Sequence, residues 1–256
     1  MNFNELKSFL DEKVEKYNAS FFIESDPISI PHLFSKKEDI EISGFLTATI
    51  AWGKRSIIIN NANKLMQLMD LEPHQFVMSA QKNELKMLEK FVHRTFNGMD
   101  LIYFIVSLRN IYQQHQGLEN AFVKNLKKTD EDLENAIIGF RKLFFQIPHP
   151  ERTEKHISNV EKNAAAKRLN MFLRWMVRKD KCGVDFGIWN KIKMSQLSCP
   201  LDVHSGNVAR KLNILKRSQD DWKAVKELDA FLRLLDAKDP VKYDFALFGL
   251  GVFEGF

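Results

Sequence analysis

The sequence predicts an all-α protein. Apolar residues recur at helical spacing through nearly the whole chain, and alternating runs rich in β-branched residues, the mark of strands, are nearly absent. No internal repeat or low-complexity segment breaks the pattern. At 256 residues the chain can bury a large core, either as one sizeable helical domain or as two interleaved halves.

A first helix is expected over about Asn4 to Tyr17. Asp26-Pro27-Ile28-Ser29-Ile30-Pro31 then reads as an extended connection, because proline disfavours helix at the residue before it. A helix pair follows, Lys37 to Ala51 and Arg55 to Met69, broken around Gly53. Pro73, Asn97-Gly98 and Gly117 mark further boundaries. Asp130 to Phe145 forms another amphipathic helix, stopped by Ile147-Pro148-His149-Pro150. That stop divides an N-terminal region, 1–150, contributing to both lobes, from 151–256, within one integrated fold. Helices over about Asn163 to Lys179, Val203 to Leu215 and Gln219 to Leu235 come next, with a short helical turn near Phe186 to Asn190. The last helix follows Asp239-Pro240 and runs through Tyr243 to Phe248.

Only Cys182 and Cys199 occur, which excludes an internal disulfide framework, a four-cysteine zinc site and a cysteine-ligated iron–sulfur cluster. The start, Met1-Asn2-Phe3-Asn4-Glu5-Leu6-Lys7, lacks the basic and apolar regions of a signal peptide, and no apolar run approaches a membrane span. A reducing cytoplasm is the expected compartment. His32, His74, His93, His115, His149, His156 and His204 form no H-x-x-x-H or H-E-x-x-H spacing, so neither a metal nor another cofactor is expected.

Lys and Arg number 38 against 33 Asp and Glu, a net charge of +5. The excess is mild but concentrated: between Lys162 and Lys181 seven basic residues face only Asp180, and Arg210, Lys211, Lys216 and Arg217 follow. On the helix after Asn163, Leu169, Phe172, Leu173, Met176 and Val177 share one face, and Lys167, Arg174 and Arg178 fall on the other. A cationic face is ordinarily a solvated one. The alternative is a phosphate-facing surface, with Lys167 in the first turn, where the positive helix dipole would favour its neutral, nucleophilic form.

Asp202, after Pro200 and before the stripe Val203, Val208, Leu212 and Leu215, sits where an aspartate caps a helix. Spacing alone favours the cap. The run Pro200-Leu201-Asp202-Val203-His204-Ser205-Gly206-Asn207-Val208-Ala209-Arg210-Lys211-Leu212, however, resembles the segment V-D-T-H-x-x-R-V-x-x-R-L of helix-hairpin-helix DNA glycosylases, the endonuclease III-like superfamily. Ile42 to Trp52, followed by Asn60 and Asn61, is similar to the early helix pair holding L-L-S-x-Q in that superfamily. Tyr243 to Gly251 resembles the closing helix, M-D-L-G, of its adenine glycosylase branch. The usual hairpin, L-P-G-V-G-x-K-T-A, is replaced by Asn159 to Arg168, which has no glycine. Ala166-Lys167-Arg168-Leu169-Asn170-Met171-Phe172-Leu173-Arg174-Trp175-Met176 is similar to the A-K-x-x-x-F-x-x-K-M pattern of archaeal 8-oxoguanine glycosylases. The run Lys167 to Arg178 also resembles one carried by a bacterial family of unassigned activity.

This resemblance implies a two-lobed helical glycosylase-like fold with a degenerate helix-hairpin-helix. It implies excision of a damaged base flipped from double-stranded DNA, with or without abasic-site cleavage, by a monomeric, nucleoid-associated bacterial protein. Asp202 would be the catalytic carboxylate and Lys167 the Schiff-base nucleophile. Arg168, Arg174, Arg178, His204 and Arg210 would contact DNA, while Trp52 and Trp175 would line the base pocket, Trp189 and Phe186 being further aromatics. Against these roles stand solvated arginines, a structural histidine and core aromatics. The rival function is non-catalytic nucleic-acid binding on the same scaffold, and a helical adaptor is a third.

Overall fold

A computed structural model describes residues 1–256, with 64 % of them in helices and 2 % in strands, so the chain is all-α. Thirteen α-helices follow in order: α1 (Phe3–Tyr17), α2 (Ser20–Ser25), α3 (Lys37–Ile50), α4 (Arg55–Gln67), α5 (Pro73–Ser79), α6 (Lys82–Met87), α7 (Gly98–His115), α8 (Leu118–Val123), α9 (Glu134–Phe144), α10 (Lys167–Val177), α11 (Val203–Lys211), α12 (Trp222–Leu235) and α13 (Tyr243–Phe253). Between α6 and α7 a small antiparallel hairpin pairs β1 (Val92–His93) with β2 (Phe96–Asn97). No helix is long and apolar enough to cross a membrane.

Local chemistry sets the boundaries. Asn2 with Glu5, and Asn97 with Asp100, form capping boxes that start α1 and α7 by satisfying their first free N–H groups. Asp26 to Pro31 is not extended but makes two 3₁₀ turns, Pro27–Ser29 and Pro31–Leu33. Each proline takes the first position of its turn, where its fixed φ is suited, and the Asp26 carboxylate accepts the Ile28 N–H at 3.1 Å. No helix forms near Phe186 to Asn190. There the N–H groups of Phe186 and Trp189 instead donate to the last carbonyls of α10, on Trp175 (2.8 Å) and Met176 (2.9 Å).

The chain divides into two compact units. The first comprises Met1–Phe22, Lys128–Glu134 and Asn159–Phe256; the second comprises Ile23–Lys127 and Asn135–Ser158. Residues 1–150 thus enter both. The break expected at the prolines before Glu151 lies eight residues further on, because the turn Glu151–His156 is bound to the start of α7. Thr153 donates to Asp100 at 2.8 Å, and Arg152 donates to Asn97 at 2.9 Å.

In the second unit α3 is buried from Asp39 to Ile50, and its core is built of phenylalanine. Phe122 stacks on Phe140 with centroids 3.8 Å apart, and Phe45, Phe104 and Phe144 complete the cluster. In the first unit α13 lies against both α1 and α11. Gly249 permits the contact with α1, since a Cβ there would fall 2.1 Å from the Tyr17 ring.

Candidate active site

Lys167 is the first residue of α10 and Asp202 immediately precedes α11. These two helix starts converge: the Lys167 Nζ lies 3.1 Å from the Asp202 Oδ2, with 31 % and 20 % of the side chains exposed. The other carboxylate oxygen works as a cap, accepting the N–H groups of His204 (2.9 Å) and Ser205 (3.0 Å). The Ser205 Oγ accepts in return from the Asp202 N–H at 2.9 Å. Burial pushes the Asp202 carboxyl up, but the Lys167 ammonium and the Ser205 N–H outweigh it and hold the group below its ordinary value. The carboxylate is therefore an anion at neutral pH, touching an amine that solvent can reach.

The approach to Lys167 is a tight loop built without glycine. A 3₁₀ turn, Val160–Lys162, ends at Asn163 in the left-handed region (φ 64°), and Ala166 enters that region again at φ 52° just before α10. Asn163 fixes the loop to the start of α12: its side chain donates to Asp221 at 2.8 Å, and its carbonyl accepts the Trp222 N–H at 3.1 Å.

Behind Asp202 the segment Ser198 to Leu201 is buried between two carboxyl groups. Asp229 of α12 accepts the Cys199 N–H at 2.8 Å, and the Cys199 thiol lies 3.8 Å from a carboxylate oxygen of Asp244 on α13. Burial pushes Asp229 up to about 7 and Asp244 up to about 6. Sequence patterning assigned neither group a role. Asp244 had a signal in the aspartate of the closing-helix resemblance, whereas Asp229, inside an amphipathic helix, had none.

Arg174 and Arg178 do not face solvent. Their side chains are 4 % and 2 % exposed, and both are held by Asp185, Arg174 also by Asp244 and Arg178 by Asp180 and Asp239. Guanidinium groups occupied by internal carboxylates are not available to DNA phosphate, so neither is a DNA contact. Trp175 is fully buried in the same helix and cannot receive a base. The second face of α10 is thus a charged interior seam rather than a solvated or phosphate-facing surface.

Arg168 is half-buried, and desolvation lowers its pKa. Arg210 donates to Asp220 (2.6 Å) and to the Arg217 carbonyl (2.8 Å). His204 is exposed beside Asp202, its backbone close enough to α13 that a Cβ on Gly251 would come within 3.2 Å. Trp52 belongs to the second unit, half-buried, with the Arg94 guanidinium 4.9 Å from its ring centroid. Trp189 is buried against Phe172, and Phe186 is half-buried. The structure thus joins Lys167, Asp202 and the start of α11 carrying His204, and takes Arg174, Arg178 and Trp175 out of the surface. No group of His, Cys, Asp and Glu is placed to hold a metal ion.

A family model described as "Protein of unknown function (DUF2400)" matches residues 26–253. No curated protein and no solved structure matches the chain.

Proposed function

Because the chain belongs to the family described as "Protein of unknown function (DUF2400)", we propose its function from its own site: excision of a damaged base from DNA, with Lys167 as nucleophile and Asp202 as the catalytic carboxylate. One observation carries this reading. An amine and a carboxylate lie 3.1 Å apart at two converging helix starts, both within reach of solvent. The similarity of the Asp202 run to helix-hairpin-helix glycosylases supplies the reaction class, and with it a two-lobed fold having a degenerate hairpin over Asn159 to Arg168.

As the N-glycosidic bond stretches, positive charge grows on the sugar, and the carboxylate of Asp202 stabilises it. Lys167 must first lose a proton to solvent, so that Asp202 keeps its charge, and the departing base takes up a proton from solvent. The lysine nitrogen lone pair then forms the bond to C1′ as the base leaves with the glycosidic electron pair. The ring oxygen takes up a proton as the C1′–O bond breaks and the nitrogen gives up its own, leaving a Schiff base; loss of a C2′ proton to solvent then expels the 3′-phosphate. Double-stranded DNA is the proposed partner, met by His204 and the basic residues Lys167, Arg168 and Arg210.

Borohydride trapping on duplexes bearing 8-oxoguanine or an abasic site tests this. A covalent adduct is expected with the native protein and none with Lys167→Gln. An adduct that persists in Lys167→Gln removes the lysine from the reaction.

A second reading is non-catalytic nucleic-acid binding on the same scaffold. It is favoured by the saturation of Asp202, whose two oxygens are occupied by the α11 cap and by Lys167. Asp202→Asn separates the two, because a pure binding protein keeps its DNA affinity and has no excision to lose.

A further inference from the structure

The face of α10 that begins with Lys167 continues into the interior. Arg174 lies about two helical turns further on, so both side chains share that face. Asp244 of α13 meets it there: one carboxylate oxygen accepts from the Arg174 Nη1, and the other lies 3.8 Å from the Cys199 thiol. Arg174 is fixed further by Asp185 at 3.1 Å and by the Phe245 ring, whose centroid is 4.3 Å from the guanidinium. Cys199 in turn stands just ahead of Asp202, in a segment buried from Ser198 to Leu201. A single carboxyl group thus joins the helix that presents the amine to the segment that presents the carboxylate. About two turns further along α13, Gly251 packs on the start of α11, where a Cβ would come within 3.2 Å of His204. The helix α13 therefore supports the chain on both sides of Asp202.

The coupling is electrostatic as well as mechanical. Burial pushes the Asp244 carboxyl up to about 6; Arg174 and Lys167 draw it down, and the charge of Asp202 adds to the rise. The groups that face it are Arg174 from α10, the Cys199 thiol and, through their charge, Lys167 and Asp202. Asp229 of α12 holds the Cys199 backbone instead, and Lys7 and Asp11 of α1 meet the neighbouring Tyr243 hydroxyl. We propose that Asp244 is a positioning residue of the Lys167–Asp202 pair, tying Lys167 through Arg174 and Asp202 through Cys199, and supplying a second negative charge to the Lys167 ammonium. Its anion favours the charged amine, so the nucleophilic form of Lys167 appears at higher pH than Asp202 alone would set. In catalytic terms this inference rests on the reading of Lys167 as nucleophile, and its test keeps the two apart.

Reductive methylation of the full-length protein with isotopically labelled formaldehyde and a borane gives each lysine a methyl resonance that follows its titration. The resonance lost in Lys167→Gln is that of Lys167. In Asp244→Asn, which keeps the shape of the group and an oxygen for Arg174, the Lys167 midpoint should fall by about half a pH unit or more. In Asp229→Asn, which changes the other carboxyl group beside Cys199, it should not move. In the unsubstituted protein the same resonance should show a small second inflection near pH 6, the value of Asp244, and Asp229→Asn should retain it. That inflection decides the matter if Asp244→Asn does not fold. A carboxyl group that only packs against Arg174 leaves the midpoint of a folded Asp244→Asn unmoved and gives no inflection near pH 6, and either result overturns the proposal. Where borohydride traps a DNA adduct, the pH profile of trapping should shift down with the Lys167 midpoint in Asp244→Asn. If the unsubstituted protein forms no adduct, the excision reading fails, while the lysine titration still decides the role of Asp244.

Discussion

At the scale of single residues, Asp202 serves two ends, and substitutions can separate them. Asparagine caps a helix about as well as aspartate, while alanine does not, so Asp202→Ala should cost about 1 kcal/mol of stability and Asp202→Asn markedly less. Denaturant unfolding checks this. Both variants should lose base excision if the carboxylate is catalytic. The pH dependence has a definite sign: the folded-state pKa of Asp202 is lowered, so its charge stabilises the fold above the ordinary carboxylate pKa. Any advantage of the native protein over Asp202→Asn should therefore be present at neutral pH and disappear as pH falls through the depressed pKa. Asp229 behaves oppositely. Burial raises it to about 7, so the fold holds its proton where the unfolded chain has released it, and stability should decline as pH rises from about 4 towards 7. Asp229→Asn, which keeps an acceptor for the Cys199 N–H, should flatten that decline and be at least as stable as the native protein at pH 8. Thermal unfolding across this range checks it; a steeper decline in the variant would exclude Asp229 as the cause.

The capping role of Asp202 was legible in the sequence, because a cap is a local matter of residue type and position. The fate of Arg174 and Arg178 was not. Periodicity places them opposite the apolar stripe of α10, but it says nothing of what that face meets. Here it meets Asp185, Asp239 and Asp244, the last two more than 60 residues away along the chain.

At the scale of elements, the centres of the long helices followed from apolar spacing, whereas their ends depended on backbone geometry. The helix expected from Asn163 begins only at Lys167 because Asn163 and Ala166 adopt left-handed conformations, ones that residue types other than glycine do not announce. Ala166→Gly should be nearly neutral, within about 0.5 kcal/mol. The relief of a left-handed alanine, roughly 1 kcal/mol, offsets the loss of a buried methyl, about 0.8 kcal/mol. Equilibrium unfolding decides: a loss well above 1 kcal/mol, the cost of glycine within a helix, would mean that Ala166 is unstrained. The contact of α1 with α13 is less forgiving. Gly249→Ala sets a methyl group against the Tyr17 ring and should cost roughly 1–3 kcal/mol in the same measurement.

At the scale of the whole molecule, the possibility of two interleaved halves was already open in the sequence, but the seams were not. Local composition points to the prolines before Glu151. The turn that follows them is nevertheless held to α7 by side chains more than 50 residues earlier in the chain, a pairing with no local signature. Fragments 1–150 and 151–256 should accordingly fail to fold when produced apart, since the first unit needs Met1–Phe22 and Lys128–Glu134 as well as Asn159–Phe256. Dispersed amide spectra from either fragment alone would contradict this.

The same threading sets an order of events on the ribosome. The second unit has all of its residues once Ser158 has emerged, and can close while the remainder is still being made. Of the thirteen helices α1 waits longest. Leu6, Leu10, Val14 and Tyr17 face a partner, α13, that is made after the other twelve helices, so the nascent chain carries an exposed apolar stripe until α13 has emerged. For that interval α1, rather than the half-made core, is the helix most in need of a chaperone.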